Sequence, residues 1–592
     1  MIAIPLDMQP RKIKEKSYDE VLECSNGYYN VRKNRRWGYT DERGNEITSL
    51  KYDSPSDYED GLALVCYDRG YMWLDLFGIE HDPWFVLGLY LRPFFSHKRV
   101  FGKISIHYCK TSLFYGKISK KWRRGLMLDN SKKFKELREK YNTFIYDSFS
   151  VENSEEEIII KFKFIIENLI TFEPELRVLK SNLKVKIDDK MIENCQNAAF
   201  HMGLIELISY WKATCSPNVI IKAGYINDEQ INWFKKLYYY GLGELFFTNG
   251  IKISMEDFMN ITCESNKVYE DSTNTQNSGY LIPIGGGKDS CVTLECLKNE
   301  VDNYCLIVNP KPVTLSCAKA AGYGDDRIVK VTRRIDSNLL DLNKQGFING
   351  HTPFSSMLAF LSYFIADIIG KKYIALSNES SANESNVDGE KINHQYSKSV
   401  EFENDFRYYS AKYLKRNTEY FSFLRPLNEL QIAMAFSRFE KYHPIFKSCN
   451  VGSKGETWKW CCNCPKCLFV YTILSPFLYK EKLVSIFGED LFEREDLLTT
   501  FVELTGNGET KPFECVGTYE EVCFAISKTI SNIENGEVDG LENRELPYLL
   551  KHYKDNFELS NLKMDLTKNY YPENNLTEEQ TKILKEEIFN DW

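Results

Sequence analysis

The sequence predicts an α/β protein with a parallel, Rossmann-like central sheet, preceded by an α+β domain and a small β-rich repeat module. Three observations predict this architecture. An apolar run meets a glycine-rich loop and then a helical pattern at Tyr280 to Glu295 (YLIPIGGGKDSCVTLE). Strand-like and helix-length segments alternate through residues 276–400, as expected for parallel strands joined by crossover helices. A repeat with a 34-residue offset lies near the start of the chain.

The glycine-rich loop has the composition of an anion-binding turn. The loop has three consecutive glycines, Gly285, Gly286 and Gly287. Because glycine has no Cβ, the backbone can bring its N–H groups close to an anion. The helix that opens near Ser290 adds its positive end and unpaired amides. Lys288 can neutralise a leaving pyrophosphate, Asp289 can hold Mg²⁺, and Ser290 can donate to a phosphate oxygen. We therefore expect this loop to bind the phosphates of ATP.

The order of residues in the loop separates two kinds of phosphate site. A Walker A loop has four residues between its first glycine and a Gly-Lys pair that Ser or Thr follows, whereas Asp289 follows Lys288 here. The loop resembles instead the SGGxDS signature of the PP-loop ATP pyrophosphatases, which split ATP into AMP and pyrophosphate while adenylating a substrate. Gly285 stands where that signature has its first Ser. The alternative is a glycine-rich turn before an ordinary helix.

Composition describes a large globular protein. The 592 residues suffice for three or four domains, with 43% hydrophobic and 27% charged residues. The net charge of −9 argues against a nucleic-acid partner. The N-terminus lacks the pattern of an export signal, and 17 spread cysteines argue against a disulfide framework, so we expect a cytoplasmic protein. The longest apolar stretch, Phe354 to Ile369, is too short to span a bilayer and predicts a buried helix, with no membrane partner.

Changes in pattern divide the chain into six segments. Alternation predicts a strand at Glu156 to Phe164, and helical periodicity predicts helices at Ile192 to Trp211 and Glu229 to Phe247. Near the end, Thr577 and Gln580 form a capping-box signature. We predict a polar leader at 1–20, β repeats at 21–85, an aromatic and basic connecting segment at 86–140, an α+β domain at 141–275, an ATP-binding domain at 276–530 and a helical tail at 531–592.

The repeat resembles the WG repeat, a β-rich module. Val31, Trp37, Tyr39, Asp41, Gly44 and Glu46 recur as Val65, Tyr71, Trp73, Asp75, Gly78 and Glu80. Each unit predicts a β-hairpin with turns at residues 41–44 and 75–78. A face that binds a protein partner and a purely structural cap are both compatible with this pattern.

The parallel strands predict a common rim. Strands fit at Tyr280–Ile284, Cys305–Val308, Ile328–Val331 and Tyr373–Leu376. Ligands lie beyond the carboxyl ends of such strands. Gly285–Ser290, Asn309, Arg333 and Ser377–Glu379 should therefore line the rim where ATP lies. The polar segments 377–384 and 393–398 follow it, and they are either functional loops or a capped helix start and a surface turn.

Four cysteines have metal-ligand spacing. A CxxCxxC knuckle plus one more distant thiol supplies a tetrahedral Zn²⁺ site, with the ligands Cys449, Cys461, Cys464 and Cys467. Cys462 is an additional thiol inside the knuckle. An iron–sulfur cluster uses the same ligands and remains the alternative. Four thiolates leave no position for substrate, so we expect this metal to serve folding.

Eight segments together resemble UDP-N-acetylmuramoyl-L-alanyl-L-glutamate epimerases, which belong to the PP-loop class. The similarity covers roughly residues 140 to 530, where long motifs recur in the same order. The segments are GLGELFF (241–247), GGGKDS (285–290), ALSNESSANE (375–384), NHQYSKS (393–399), FSFLRPLNELQIA (421–433), SCNVGS (448–453), WCCNCPKC (460–467) and KPFECVGT (511–518).

The resemblance implies inversion of the terminal L-Glu of UDP-MurNAc-L-Ala-L-Glu to D-Glu, with ATP and Mg²⁺ consumed to AMP and pyrophosphate, in peptidoglycan synthesis. Inversion needs an acid and a base on opposite faces of the Cα. His394 is the first candidate and Glu379 the second, and further candidates for proton transfer or substrate contact are Glu384, Tyr396 and Lys398. Arg425 and Lys398 suit the diphosphate or carboxylates of the substrate, although each can equally form an ion pair.

Two other functions remain compatible with the sequence. The cysteine knuckle also resembles the zinc site of 7-cyano-7-deazaguanine synthase, another PP-loop enzyme, which favours activation of a different carboxylate or of a base. The repeats, together with a loop that lacks its first Ser, are compatible with a nucleotide-binding interaction or sensor protein. The presence of Lys288, Asp289 and Ser290 argues against that last alternative.

Overall fold

The chain divides into two units, Met1–Thr111 with Asp496–Thr499 and Ser112–Glu495 with Thr500–Trp592. They are seen in a computed structural model. It describes residues 2–3, 18–23, 28–33, 36–41, 47–48, 58–59, 62–67, 70–75, 80–81, 129–180, 183–269, 277–383, 393, 396–414, 417–449, 459–508, 511–512, 514–536, 545–560, 562 and 565–589.

The first unit carries the repeats and contains two four-stranded antiparallel sheets. Val31 and Tyr39, two of the repeated positions, are buried, and Val31 packs with Val21. These positions therefore serve packing. The first sheet has β1 (Ile2–Ala3), β2 (Glu20–Glu23), β3 (Tyr28–Lys33) and β4 (Arg36–Asp41), and the second has β5 (Tyr58–Glu59), β6 (Leu62–Tyr67), β7 (Gly70–Asp75) and β8 (Glu80–His81).

The second predicted hairpin is present, and each repeat has a further strand reversal that was not predicted. β3 pairs antiparallel with β4 and β6 with β7, so the chain already reverses between Lys33 and Arg36 and between Tyr67 and Gly70. β7 then pairs with β8 on either side of the second predicted turn. Most of the first predicted turn lies outside the described residues.

A mixed sheet of 11 strands forms the centre of the second unit. Its order is β14-β13-β9-β10-β12-β17-β16-β15-β18-β19, and β11 pairs with β10. The strands are β9 (Thr143–Asn153), β10 (Glu157–Ile166), β11 (Ile170–Phe172), β12 (Glu175–Leu179), β13 (Asn218–Ile221), β14 (Asn260–Cys263), β15 (Ser278–Pro283), β16 (Tyr304–Val308), β17 (Ile328–Arg334), β18 (Lys371–Leu376) and β19 (Glu419–Ser422).

The parallel half of this sheet positions the glycine-rich loop. Strands β17, β16, β15, β18 and β19 lie side by side and run parallel. Numbered along the chain their order is 3-2-1-4-5, so the direction of winding changes between β15 and β18. Ligands of open α/β sheets bind at such a switch point. The four strands predicted here are confirmed, and the four-residue β19 adds a fifth.

Strands from before residue 275 extend the same sheet. β10 pairs antiparallel with β9 and β12, and β12 pairs antiparallel with β17, where Leu176 stands opposite Arg333. The predicted alternation in β10 is confirmed, with half-buried residues between the buried positions Ile158, Ile160, Phe162 and Phe164. One continuous sheet therefore joins the predicted α+β segment to the predicted ATP-binding segment.

The helices follow the predicted positions with interruptions. The helix predicted at 192–211 is divided into three, and the helix predicted at 229–247 is broken at Leu242. The apolar stretch at 354–369 forms a mostly buried helix, and within the described residues no helix is long and apolar enough to cross a membrane.

The helices are α1 (Ser131–Lys140), α2 (Asp189–Glu193), α3 (Gln196–Glu206), α4 (Ile208–Trp211), α5 (Asp228–Gly241), α6 (Gly243–Thr248), α7 (Lys288–Leu297), α8 (Pro312–Ala320), α9 (Ser337–Lys344), α10 (Phe354–Ile368), α11 (Val400–Tyr409), α12 (Glu429–Arg438), α13 (Pro465–Leu474), α14 (Lys480–Phe487), α15 (Leu498–Leu504), α16 (Tyr519–Glu534), α17 (Tyr548–Asn556) and α18 (Glu578–Phe589).

The C-terminal segment is tied to the helix that follows β19. Asn428 caps α12, and its Nδ2 donates to the carbonyl oxygen of Leu566 at 2.8 Å. The predicted capping box of Thr577 and Gln580 is confirmed at the start of α18. The tail is thus anchored beside the carboxyl end of the parallel sheet.

Arg333, expected on the rim near ATP, forms an ion pair with Glu206. Its Nη2 lies 2.7 Å from Glu206 Oε1 and its Nε lies 3.0 Å from both carboxylate oxygens of Glu206. The side chain of Arg333 is 13% exposed and that of Glu206 is 2% exposed. This ion pair connects α3 to the end of β17.

The substitution Arg333→Leu is expected to lower the free energy of unfolding by about 3–5 kcal/mol, because it leaves the buried charge of Glu206 without its partner. Arg334→Leu is the matched control. Its side chain is 59% exposed and pairs with Glu175, so its loss is expected to cost less than about 1 kcal/mol. Denaturant unfolding measures both, and equal losses would contradict the structural role of Arg333.

Candidate functional site

Two loops meet at the switch point of the parallel sheet. The first follows β15 and contains Gly285 to Gly287, and the second follows β18 and begins at Ser377. The Oγ atom of Ser377 lies 2.8 Å from that of Thr293 in α7, which joins the second loop to the helix after the first. This is the edge on which the sequence predicts ATP.

The glycine-rich loop is packed on one side and open on the other. Gly286 has a φ of +81°, and a Cβ there would lie 2.8 Å from Val313 Cγ1. A Cβ on Gly287 would lie 2.8 Å from Ser448 Oγ. A Cβ on Gly285 would meet no atom within 4 Å, so the space in front of this residue can admit a ligand.

A buried ammonium group stands at the start of the helix after the loop. Lys288 opens α7, its side chain is 1% exposed, and its Nζ donates to the carboxylates of Asp289 and Glu429. The side chain of Glu429 is 2% exposed and that of Asp289 is 25% exposed. The backbone N–H of Glu429 donates to Glu521 Oε1 at 2.7 Å. Lys288 and Glu429, 141 residues apart, therefore meet here, and Glu521 from a third segment holds the backbone of Glu429.

The charges around Lys288 shift the pKa values of their neighbours. Burial lowers the pKa of Lys288, but Asp289 and Glu429 outweigh it and hold this pKa above its ordinary value. Burial favours the neutral form of Asp289, yet Lys288 and Lys466 keep its pKa below the usual range. Burial raises the pKa of Glu429 to about 7, against the effect of Lys288. Glu429 is thus a carboxyl group able to exchange a proton near neutral pH.

Two further lysines and a cysteine face the same cluster. Lys398 Nζ lies 3.1 Å from Cys515 Sγ, and Lys466 Nζ donates to the backbone oxygen of Cys515. Both ammonium charges act on Asp289. Glu379 is 5% exposed, and burial raises its pKa despite the charge of Lys398. With Lys288, three cations converge here, as suits a polyphosphate or a phosphate next to a carboxylate.

Arg425 supports the backbone of this site. It is 1% exposed, and its Nη atoms donate to the backbone oxygens of Glu379 and Lys398 and pair with Glu403. Its Nε has no hydrogen-bond partner among the described residues. Arg425 also lines a cavity of about 360 Å³, together with Ser380, Thr518 and Tyr571. The Nη atoms of Arg425 therefore position the backbone of Glu379 and Lys398, and its Nε is buried.

The four predicted metal ligands come together beside the loop. Ser448 lies against Gly287, and Lys466 reaches into the charged cluster from within the knuckle. Cys462 is outside the group, because its Sγ donates to the backbone oxygen of Phe487 at 3.2 Å. The four Sγ atoms, all within 4.8 Å of one another, belong to Cys449, Cys461, Cys464 and Cys467.

Two predicted residues, Asn309 and Tyr396, have described contacts only with residues outside the charged cluster. Asn309 is exposed at the end of β16, and its Oδ1 accepts from the backbone N–H of Arg333 at 2.8 Å. Tyr396 is 7% exposed and its ring packs 5.3 Å from the ring of Tyr240. The described contacts of Tyr396 are those of a core residue.

The remaining predicted residues divide between the loop and the undescribed part of the chain. Ser290 is buried, and its Oγ donates to the backbone oxygen of Gly287 at 2.9 Å, which caps the turn. His394 and Glu384 lie outside the described residues. Their roles stay predictions.

Four members of the cluster were not predicted from the sequence: Glu429, Lys466, Cys515 and Glu521. Three of them lie in segments that carry the family resemblance, NELQIA, CPKC and ECVGT. For Glu429 and Lys466 the available signal was a charged side chain directly beside a helix cap or a predicted metal ligand. Glu429, for example, follows the cap residue Asn428 at the start of an otherwise apolar helix.

The strand order, the glycine-rich loop and the buried charges define an α/β protein with a candidate ligand site at the switch point of the parallel strands. Comparison with known families is more specific. The family model of the MurL N-terminal domain matches residues 135–423, and that of the MurL C-terminal domain matches residues 445–541. The WG containing repeat matches residues 37–71, which confirms that resemblance.

Three curated relatives are named UDP-N-acetyl-alpha-D-muramoyl-L-alanyl-L-glutamate epimerase. The relative from Micromonospora sp. is 34% identical over 325 residues, which are 54% of this chain and 72% of the relative. The relative from Salinispora tropica is 34% identical over 332 residues (55% and 71%), and that from Xanthomonas oryzae pv. oryzae is 32% identical over 346 residues (57% and 76%). The chain belongs to this epimerase family.

The substitution Gly286→Ala is expected to lower the free energy of unfolding by about 1–3 kcal/mol, because alanine must adopt a positive φ and its Cβ presses on Val313. Gly285→Ala, one residue earlier and facing open space, is expected to change stability by less than about 0.5 kcal/mol. Thermal unfolding compares the two. A loss at Gly285 as large as that at Gly286 would be inconsistent with this loop geometry.

Proposed function

We propose that the chain inverts the terminal L-Glu of UDP-MurNAc-L-Ala-L-Glu to D-Glu for peptidoglycan precursor synthesis, and that it first adenylates the glutamyl carboxylate with ATP. The names of the relatives support the substrate and the inversion. The observation that carries the ATP step is the position of Lys288, a buried ammonium group directly after a glycine-rich loop at the switch point. This step releases pyrophosphate and leaves AMP bound to the substrate in a mixed anhydride, and hydrolysis of that anhydride after inversion releases AMP.

Adenylation makes the Cα proton removable. Taking that proton from a free glutamate would place a second negative charge beside the carboxylate. In the mixed anhydride with AMP the first charge is cancelled, and the electron pair of the C–H bond can delocalise into the acyl carbonyl. The Cα becomes planar, and return of a proton to the opposite face inverts the centre.

The loop and its lysine suit the first step. Backbone N–H groups of Gly285 to Gly287 and the start of α7 can hold the phosphates of ATP. Lys288 can neutralise the departing pyrophosphate, and Glu429 keeps that ammonium in place. Asp289 can bind Mg²⁺, which proteins usually hold with one or two carboxylates plus phosphate oxygens.

Lys398 and Lys466 have the charge needed to bind the glutamyl carboxylate. The attacking carboxylate and the α-phosphate are both negative and repel each other. Two ammonium groups whose charges already act on Asp289 can reduce that repulsion where the two anions meet. The glutamyl end of the substrate is therefore placed between the loop and Cys515.

We also propose a structural zinc ion at the four cysteines. Tetrahedral Zn–S bonds of about 2.3 Å place the sulfurs about 3.8 Å apart. Sγ distances of 3.8 Å for Cys449 to Cys464, and of 3.5 Å for Cys461 to Cys467 and for Cys464 to Cys467, support a single ion. An iron–sulfur cluster needs more widely spaced ligands, because several iron atoms lie between them. The ion would hold Lys466 and the segment before Cys449 in position.

The reaction is tested by measuring AMP, pyrophosphate and D-Glu from ATP, Mg²⁺ and UDP-MurNAc-L-Ala-L-Glu. AMP and D-Glu are both expected to depend on the dipeptide. Asp289→Asn is expected to slow AMP formation by about 100-fold or more, because it removes one charge that fixes Lys288. Asp325→Asn is the control, since Asp325 is 45% exposed and pairs with Lys330 away from the site.

Each outcome addresses one part of the proposal. Inversion without AMP would contradict adenylation. AMP release that does not depend on the dipeptide would contradict the proposed substrate and would favour another carboxylate or a base as substrate. Unchanged pyrophosphate release in Asp289→Asn would contradict the placement of ATP at this loop.

The metal is tested with two cysteine variants. Cys464→Ser is expected to lose the metal and unfold at a lower temperature, whereas Cys462→Ser is expected to retain it because its sulfur bonds Phe487. Elemental analysis of the purified proteins should find about one zinc per wild-type chain. Iron with acid-labile sulfide in the wild type would contradict the zinc assignment.

A further inference from the structure

Cys515 connects the two lysines that face the glutamyl end of the proposed site. Its Sγ lies 3.1 Å from Lys398 Nζ, and its backbone oxygen accepts from Lys466 Nζ. It is half-buried, unlike the fully buried thiols of Cys291 and Cys305, whose pKa values burial raises. The thiol therefore lies beside a cation in a position that a ligand can reach.

Such a thiol has the properties of a proton acceptor. An adjacent ammonium group stabilises the thiolate, and a thiolate is a base near neutral pH. The same ammonium charge acts on Glu379, a buried carboxyl group in the loop after β18. Cys515 and Glu379 thus approach the neighbourhood of Lys398 from different segments of the chain, as two groups that serve opposite faces of one carbon atom must.

Cys515 differs from the metal-binding cysteines and from a neighbouring structural cysteine in the described part of the chain. The metal-binding group comprises the four cysteines of the knuckle and its distant partner, and Cys515 is not among them. The next cysteine along the chain, Cys523, donates its thiol to the backbone oxygen of Thr505 at 3.4 Å, as a structural cysteine does.

We propose that Cys515 transfers the Cα proton on one face of the adenylated glutamate, with Glu379 serving the other face; this inference rests on the proposed function. The thiolate takes the proton, so that the Cα–H bond breaks and an S–H bond forms. The electron pair moves into the acyl carbonyl, whose developing charge Lys398 stabilises. The carboxylic acid of Glu379 then gives its proton to the opposite face. In the reverse direction the two groups exchange roles.

The test separates adenylation from proton transfer in Cys515→Ala and Cys515→Ser, in the full-length chain and in deuterated water. Dipeptide-dependent pyrophosphate release is expected to stay within about threefold of the wild type. Formation of D-Glu and uptake of deuterium at the Cα are expected to fall about 100-fold to 10,000-fold. Cys523→Ala is the matched control and should leave all three rates unchanged.

Failure of this inference is distinguishable from failure of the proposed function. A wild-type chain that makes no D-Glu contradicts the function itself. If the wild type inverts glutamate and Cys515→Ala inverts it at a comparable rate, Cys515 is not the proton carrier. If Cys515→Ser folds with an unchanged unfolding temperature but loses pyrophosphate release as well, the thiol serves adenylation or positioning, and the inference is overturned.

Discussion

The burial of the Lys288 ammonium is the constraint on which the rest of the site depends. A charge that is 1% exposed costs several kcal/mol unless carboxylates contact it. Asp289 comes from the same helix, but Glu429 lies 141 residues further along the chain. Helix α12 must therefore begin against α7, and its cap at Asn428 and the carboxylate of Glu521 fix its first turn there. The space in front of Gly285 in the glycine-rich loop stays open.

The four-cysteine group extends this constraint from the other side of the loop. The backbone N–H of Lys447 donates to the backbone oxygen of Gly286 at 2.8 Å, two residues before the ligand Cys449. Lys466 lies between two further ligands and reaches Cys515. The proposed zinc would thus act on catalysis through the position of these residues, without contact with the substrate. Folding of the knuckle therefore also positions the lysine side chains of the site.

The parts of the molecule that can be predicted from the sequence are those marked by a short local pattern of residues. An apolar run that ends in three glycines predicts β15 and its loop, and two-residue spacings between cysteines predict the metal ligands. The contacts of Glu429 with Lys288 and of Cys515 with Lys398 have no local signal in the sequence, because only the topology brings these residues together. Other contacts are likewise visible only in the folded chain. Most donors of Arg425 bind backbone and Glu403, and a change of pattern near residue 275 does not end the sheet, since β12 pairs with β17.

The central claim is that the glutamyl carboxylate attacks ATP at this cluster before the Cα is inverted. The most direct measurement uses UDP-MurNAc-L-Ala-L-Glu whose terminal α-carboxylate carries heavy oxygen, with mass spectrometry of the AMP produced. Because hydrolysis of the mixed anhydride at its acyl carbon leaves the bridging oxygen on phosphorus, the account predicts one heavy oxygen in AMP for each D-Glu formed. D-Glu that accumulates beside unlabelled AMP would contradict it.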